Sequence, residues 1–170
     1  MRRYLASAWL PMRRYAEFSG RSQPQEFWAF TLVITGLTLL CDVIDELAGL
    51  SFDGAGWAMG ATGVAGAVFS LVTLIPFLAV AVRRVHDTNL RGWWLLPPLA
   101  ANVACFIALG AMFGIHDFPM EREEEVAVLT LGFLGTFLLL IVLLCRKGTA
   151  GPNRFGDDPQ PTIDYDDVFN

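Results

Sequence analysis

Charge falls along this chain in blocks, and between the blocks lie four long stretches with none. Residues 27–41 (FWAFTLVITGLTLLC), 54–82, 92–115 and 126–145 contain no Asp, Glu, Lys or Arg. A helix rises about 1.5 Å per residue, so roughly 20 residues cross a hydrocarbon core about 30 Å thick. Three of the runs reach that length unaided. The first has only 15 residues and must extend into Gln25 and Glu26 or toward Asp42, with its ends in the headgroup region. Any one run would also suit a buried helix of a soluble protein. Four of them in 170 residues leave too little polar chain to cover them, since only 17% of the residues are charged and 54% are hydrophobic. Soluble domains carry about a quarter charged residues. The pattern predicts an all-α integral membrane protein, a four-helix bundle with spans at about 25–45, 56–82, 93–115 and 126–145.

The basic residues orient that bundle. Arg2, Arg3, Arg13, Arg14 and Arg21 precede the first run, Arg83, Arg84 and Arg91 separate the second from the third, and Arg146, Lys147 and Arg154 follow the fourth. Only Arg122 lies on the opposite side if all four runs span. Lys and Arg concentrate on the cytoplasmic side of membrane proteins, so both termini are expected in the cytoplasm of a bacterium, at its inner membrane. The outer segments are acidic, with Asp42, Asp45, Glu46 and Asp53 in one and Asp117, Glu121, Glu123, Glu124 and Glu125 in the other. This alternation requires an even number of spans and so supports counting the short first run. Asp42, Asp45 and Glu46 share one helical face, an oxygen-rich cluster of the kind that hard cations favour. Acidic outer loops follow from topology alone, however, and no metal or other cofactor is expected.

Inside the spans the polar content is low. No charged residue lies mid-span, which argues against a proton relay or ion path built from intramembrane carboxylates. Gly56 with Gly60, Gly110 with Gly114, and Gly63, Gly66 and Ala67 read as small residues for close helix packing. Pro76 is expected to kink the second helix, while Pro97 and Pro98 fit the first turn of the third. Trp28, Trp57, Trp93 and Trp94 sit near predicted interfaces. Cys41, Cys105 and Cys145, three thiols at three depths, form neither a disulfide framework nor a metal motif. Residues 1–14 read either as an amphipathic surface segment or as a basic tail, and residues 160–170 as an acidic tail.

Chemistry concentrates in three inner segments: FSGRSQPQEFW (18–28), RRVHDTNLRGWW (83–94) and GTAGPNRFGDDP (148–159). The predicted topology gathers them on one face. The order GRS..EFW, RR.HD...RGWW and GPNRFG.DP around hydrophobic helices resembles the small bacterial inner-membrane family catalogued as domain of unknown function 805, over roughly Tyr15 to Pro159. The resemblance implies functional candidates at Gly20, Arg21, Glu26 and Trp28; at Arg83, Arg84, His86, Asp87, Gly92 and Trp93; and at Asn153, Arg154, Phe155, Gly156, Asp157 and Pro159. It implies no activity, and neither the basic start nor the acidic tail belongs to it.

Two readings of these residues follow from their chemistry. In the first they form a structural cap, with Arg21, Arg84, Arg91 and Arg154 tied to Glu26, Asp87, Asp157 and helix-terminal carbonyls. An exposed Arg83–Asp87 pair at i, i+4 would add a few tenths of a kcal/mol. In the second, the arginines over an aromatic floor of Trp28, Trp93, Trp94 and Phe155 hold a phosphate, which a guanidinium matches bidentately. His86 beside Asp87 forms an acid–base pair, but no Ser or Cys nucleophile has recognisable spacing to it. The preferred expectation is a non-enzymatic membrane module that binds an anionic phospholipid headgroup or a protein partner, a second copy included, through this cap. A small transporter or channel component is the alternative, and an enzyme acting on a phosphorylated lipid the further one. Nucleic acid is not an expected partner of a chain with a net charge of -5.

Overall fold

The computed structural model describes residues 9–51, 63–115 and 123–159, and among them all regular structure is helical. Four long helices follow one another: α1 (Pro24–Ala48), α2 (Val64–Asp87), α3 (Leu96–Ile115) and α4 (Glu123–Cys145), with a 3-10 turn at Gly92–Leu95 leading into α3. All four are long and apolar enough to cross a membrane. Their burial is inverted relative to a soluble bundle. In α4 the most hydropathic span has only 6% of its residues buried, and Leu32, Val128 and Leu131 stand about 70% exposed (72%, 68% and 69%). Exposed apolar surface on this scale marks contact with a membrane or with another protein. Trp57, the Gly56–Gly60 pair, Asp117, residues 1–8 of the basic start and residues 160–170 lie outside the described residues.

Local signals set the helix ends. Pro24 opens α1, where a missing N–H is harmless. Gly49, with φ 66°, closes it in the left-handed conformation that glycine takes without strain. The start of α2 is capped from a distance. Gly63 has no side chain to offer, and the buried Asp45 near the end of α1 supplies the carboxylate instead. Its Oδ1 accepts from Ala65 N at 3.1 Å and its Oδ2 from Gly66 N at 2.9 Å. The approach is so close that a Cβ on Gly63 would sit 2.6 Å from Asp45 Cγ. Glu46 accepts from the Ser51 hydroxyl at 2.7 Å. The acidic face read from sequence thus does structural work at the mouth of the α1–α2 hairpin.

Pro76 lies inside α2, and its missing N–H leaves the Val72 carbonyl, one turn earlier, without a helical donor. The Tyr15 phenol fills the gap, donating from Oη to Val72 O at 2.5 Å. The segment before α1 therefore lies along α2 rather than trailing free, and Pro11 within it is fully buried.

The helices pair as two hairpins, α1 with α2 and α3 with α4. Within the second, Asn102 Nδ2 donates to Phe133 O (3.1 Å) and Thr136 Oγ1 (3.2 Å), the polar adhesive that membrane helices use. The hairpins meet mainly at the end that carries both terminal segments. Phe27, Phe30, Val80, Ala81, Val85, Leu95 and Leu144 form the buried apolar core there.

Candidate functional site

Helix α2 runs on past its apolar stretch to Asp87, so Arg83, Arg84, His86 and Asp87 sit on a helix end rather than in a connecting loop. That rigid end is the scaffold onto which the other two motifs fold. Asp87 is its centre. The Arg21 guanidinium approaches one carboxylate oxygen, with Nε at 2.9 Å and Nη2 at 2.8 Å from Oδ1. Arg84 Nη1 donates to the other, Oδ2, at 2.6 Å. All three side chains are buried.

Both arginines then use their remaining donors on the last turn of α4 and the segment that follows it. Arg21 Nη1 donates to Gly151 O and Nη2 to Thr149 O, each at 2.6 Å. Arg84 Nε donates to Leu144 O at 3.0 Å, and its Nη2 to Arg146 O. These are orphan carbonyls at the C-terminal end of α4, where a cation is favoured by the helix dipole. The Asp87 carbonyl accepts in turn from Thr149 N at 2.9 Å. Gly148 is required by this closeness, since a Cβ there would lie 2.6 Å from Asp87 Cγ.

His86 forms a second tier. Its imidazole stacks on Phe155 at 3.9 Å between ring centroids and 4° between planes. Its Nδ1 lies 3.3 Å from Gly20 O. Gly92 gives the imidazole room, because a Cβ there would stand 3.3 Å from Nε2 and 2.7 Å from a Val82 methyl carbon. Asn153 and Gly156 exchange backbone bonds at 3.0 Å each, forming a tight turn that aims Phe155 back at α2. The Asn153 side chain pins this turn by donating to His86 O at 3.1 Å. Arg154 lies over the Phe155 ring at 4.7 Å and donates to Asn89 O at 2.6 Å.

Four expectations need correction. Arg83 does not pair with Asp87. It points toward α1 and meets Glu26 Oε1 at 3.5 Å, and Arg84 takes Asp87 at i, i+3 instead. Successive residues on a helix point about 100° apart, so two neighbouring arginines cannot share one carboxylate on the same side. Arg91 is exposed and forms none of the cap's ion pairs. Asp157 is exposed too, and the acid that enters the cap is its neighbour Asp158. Asp158 accepts from Gly151 N at 2.8 Å and stands 4.0 Å from Arg21 Nη2. The expected aromatic floor is likewise divided. Phe155 belongs to His86, Trp28 packs edge-on against Phe27 at 5.1 Å, and the half-exposed Trp93 and Trp94 stack on each other at 4.7 Å.

The Arg83–Glu26 pair contrasts with the Asp87 centre. Arg83 is fully buried, yet among the described residues none of its three guanidinium nitrogens has a hydrogen-bond partner, nor has Glu26 Oε1 or the nearby Ser22 hydroxyl. The missed participants, Gly148, Thr149, Gly151 and Asp158, all lie in the last motif. They act largely through backbone atoms, which a reading of side-chain chemistry passes over.

Two hollows flank this assembly. A polar one of about 280 Å³ is lined by Arg21, Gln23, Asp87, Lys147, Thr149 and Asp158. An apolar one of about 360 Å³ opens between the hairpins beneath the 3-10 turn, with Trp28, Phe77, Leu95, Leu99, Leu140 and Leu144 among its walls. Among the described residues the polar contact of the His86 imidazole is a backbone carbonyl, that of Gly20. At the Asp87 centre the arginines and the carboxylate satisfy one another, and that centre holds distant segments together.

The chain matches the family model described as protein of unknown function DUF805 over residues 15–157, and it belongs to that family. It is similar to the inner membrane protein YhaH of Escherichia coli K12, 27% identical over 150 residues that cover 88% of this chain and 92% of the relative. It is similar as well to the inner membrane protein YhaI of the same strain, 29% identical over 149 residues, covering 88% and 91%. The uncharacterized protein YiiR of that strain is 27% identical over 145 residues, covering 84% and 86%. No solved structure matches.

Proposed function

We propose that this DUF805 member is a non-enzymatic module of the bacterial inner membrane that binds an anionic phospholipid of the cytoplasmic leaflet, with both terminal segments in the cytoplasm. The observation that carries the reading is the apolar hollow of about 360 Å³ between the hairpins. In a bilayer, such a space is filled by the medium around it, and that medium is acyl chain. Membrane helices gain their cohesion from van der Waals contact, so a chain seated there completes the packing.

The headgroup end is supplied by cations that the cap leaves outside. Arg91 directly precedes Gly92, which lines the hollow, and Arg146 follows two residues after Leu144, which also lines it. Both side chains are exposed. Each such residue near an anionic leaflet contributes about 1 kcal/mol of attraction. The basic excess on the terminal side supports the orientation through the positive-inside rule. Arg21, Arg84 and Arg154 act in this reading as the lock that keeps the hollow in shape, not as ligands.

The test is retention of phosphatidylglycerol against phosphatidylcholine through mild detergent purification, quantified by native mass spectrometry. Arg91→Ala/Arg146→Ala should abolish the preference for phosphatidylglycerol. Leu140→Trp, which fills the hollow, should lower retention of both lipids. Unchanged retention in both variants, each shown to be folded, removes the proposal.

A further inference from the structure

The segment before α1 divides at Gly20, whose φ of 85° is a conformation that glycine takes without strain. On one side of it Arg21 is fixed to Asp87, Thr149 and Gly151. Ser22, next along, donates its amide to Arg83 O at 3.2 Å. On the other side, residues 9–19 lie along α2 and are held far more loosely. Their backbone bonds stay among themselves, from Arg14 N to Leu10 O and from Glu17 N to Arg14 O. Among the described residues, the hydrogen bond from this stretch to the helices comes from the Tyr15 side chain, on Val72 O. Pro11 is fully buried and Met12 packs on the apolar core, whereas Trp9, Arg13, Arg14, Glu17 and Phe18 are exposed. Few buried contacts and a single polar tie are the marks of a segment that opens locally, without global unfolding.

This stretch lies against the group that closure leaves worst off. Arg83 and Ser22 are wholly buried, and Glu26 is buried beside them. Arg83 Nε, Nη1 and Nη2, Glu26 Oε1 and Ser22 Oγ have no hydrogen-bond partner among the described residues. A guanidinium carries five N–H donors, and Glu26 meets it only at 3.5 Å. After Glu26, the charges that act most on Arg83 are those of Arg14 and Glu17, both on residues 9–19. A buried ion pair recovers its desolvation only when hydrogen bonds satisfy its remaining protons and lone pairs. Here they do not, so the pair favours any state in which water reaches it. The Tyr15 bond and the burial of Pro11 oppose that state.

From this we infer that residues 9–19 are a hinged strap, turning at Gly20, latched by the Tyr15 hydroxyl and sprung by the Arg83–Glu26 pair. Phe18 on the strap is one wall of the apolar hollow, so the hollow opens on that side when the strap lifts. A lipid tail seated there is then free to exchange. That use rests on the phospholipid reading, whereas the motion of the strap does not.

The test uses the full chain in mixed phosphatidylglycerol and phosphatidylcholine nanodiscs, with Cys41, Cys105 and Cys145 replaced by Ala. Pro11→Cys reports the strap and Val85→Cys the helix core, since both positions are fully buried. With a membrane-impermeant maleimide, and reclosing faster than labelling, the rate reads the open population. Pro11→Cys should react at least about tenfold faster than Val85→Cys. Tyr15→Phe should speed the Pro11→Cys reaction about fivefold, and Arg83→Met/Glu26→Leu should slow it about tenfold. Disturbed packing would speed both, so slowing is the mark of a released spring. Equal rates at the two thiols overturn the inference, as does labelling that Arg83→Met/Glu26→Leu leaves unchanged or speeds. A second arm measures exchange of retained phosphatidylglycerol. Exchange that follows the thiol rates supports the opening of the hollow, and exchange alike in all variants overturns it. A wild-type chain that retains no phosphatidylglycerol removes the phospholipid reading alone, and the thiol rates still decide the strap.

Discussion

Replacing Tyr15 by Phe removes one oxygen atom and tests how a proline is accommodated in the middle of a span. Val72 O lies four residues before Pro76 and accepts from Tyr15 Oη at 2.5 Å. Lipid offers that carbonyl no substitute donor. An acceptor stranded away from water costs about 1–3 kcal/mol, whereas polar pairs between membrane helices average about 0.6 kcal/mol with a maximum near 1.7. The bond is at the protein's surface, which favours the lower range, so Tyr15→Phe should cost about 1 kcal/mol. The decisive step is a second background. In Pro76→Ala the amide at position 76 regains its hydrogen and can bond to Val72 O as in any helix. Tyr15→Phe should then cost close to nothing. Reversible unfolding by SDS titration in mixed micelles would give the four free energies of this cycle, with an expected coupling of about 1 kcal/mol. An equal cost of Tyr15→Phe in both backgrounds would refute the assignment, showing that the phenol acts by packing and not through the carbonyl.

Two further outcomes follow from the cap. Gly148→Ala forces a methyl into the Asp87 carboxylate, which Arg21 and Arg84 hold from two sides. Overpacking of this kind costs typically about 1–3 kcal/mol. The same unfolding assay should show that loss for Gly148→Ala and almost none for Gly135→Ala, whose added Cβ meets nothing within 4 Å. For the Arg83–Glu26 pair, Glu26→Gln alone should destabilise by about 3–5 kcal/mol, because it leaves a buried guanidinium uncompensated. Arg83→Met combined with Glu26→Leu should be far milder or even stabilising, since the pair lacks the hydrogen bonds that offset its desolvation. A double variant as unstable as the single would contradict this account.

The spans and the gathering of three motifs at one end were legible because both rest on coarse quantities, run length and the sign of charge. Arg21 does reach Thr149 and Gly151 across the whole chain. What sequence could not supply was the choice of partner. Arg83 and Arg84 are chemically identical neighbours, and only the packing of α1 and α4 against α2 decides which meets Glu26 and which meets Asp87. Asp45 read as one of three acids on a face because its role depends on Gly63, eighteen positions away across a hairpin. The Tyr15 contact has a signal in the sequence. A proline within a span always leaves a carbonyl needing a donor, and Tyr15 was available in the preceding segment. The threonine hydroxyls of α1 carry no charge, so a pattern of ions along the chain does not mark them.

The lock around Asp87 imposes an order on biogenesis. Helices α1 and α2 emerge from the ribosome first and pair through Asp45, yet Arg84 then carries donors whose acceptors, the carbonyls of Leu144 and Arg146, have not been synthesised. Arg21 waits likewise for Thr149 and Gly151. The cap therefore closes only when the stretch from Gly148 onward has been translated. A nascent chain stopped short of it would expose unmatched guanidinium groups at the membrane surface, a mark by which quality-control proteases could tell an unfinished copy from a finished one.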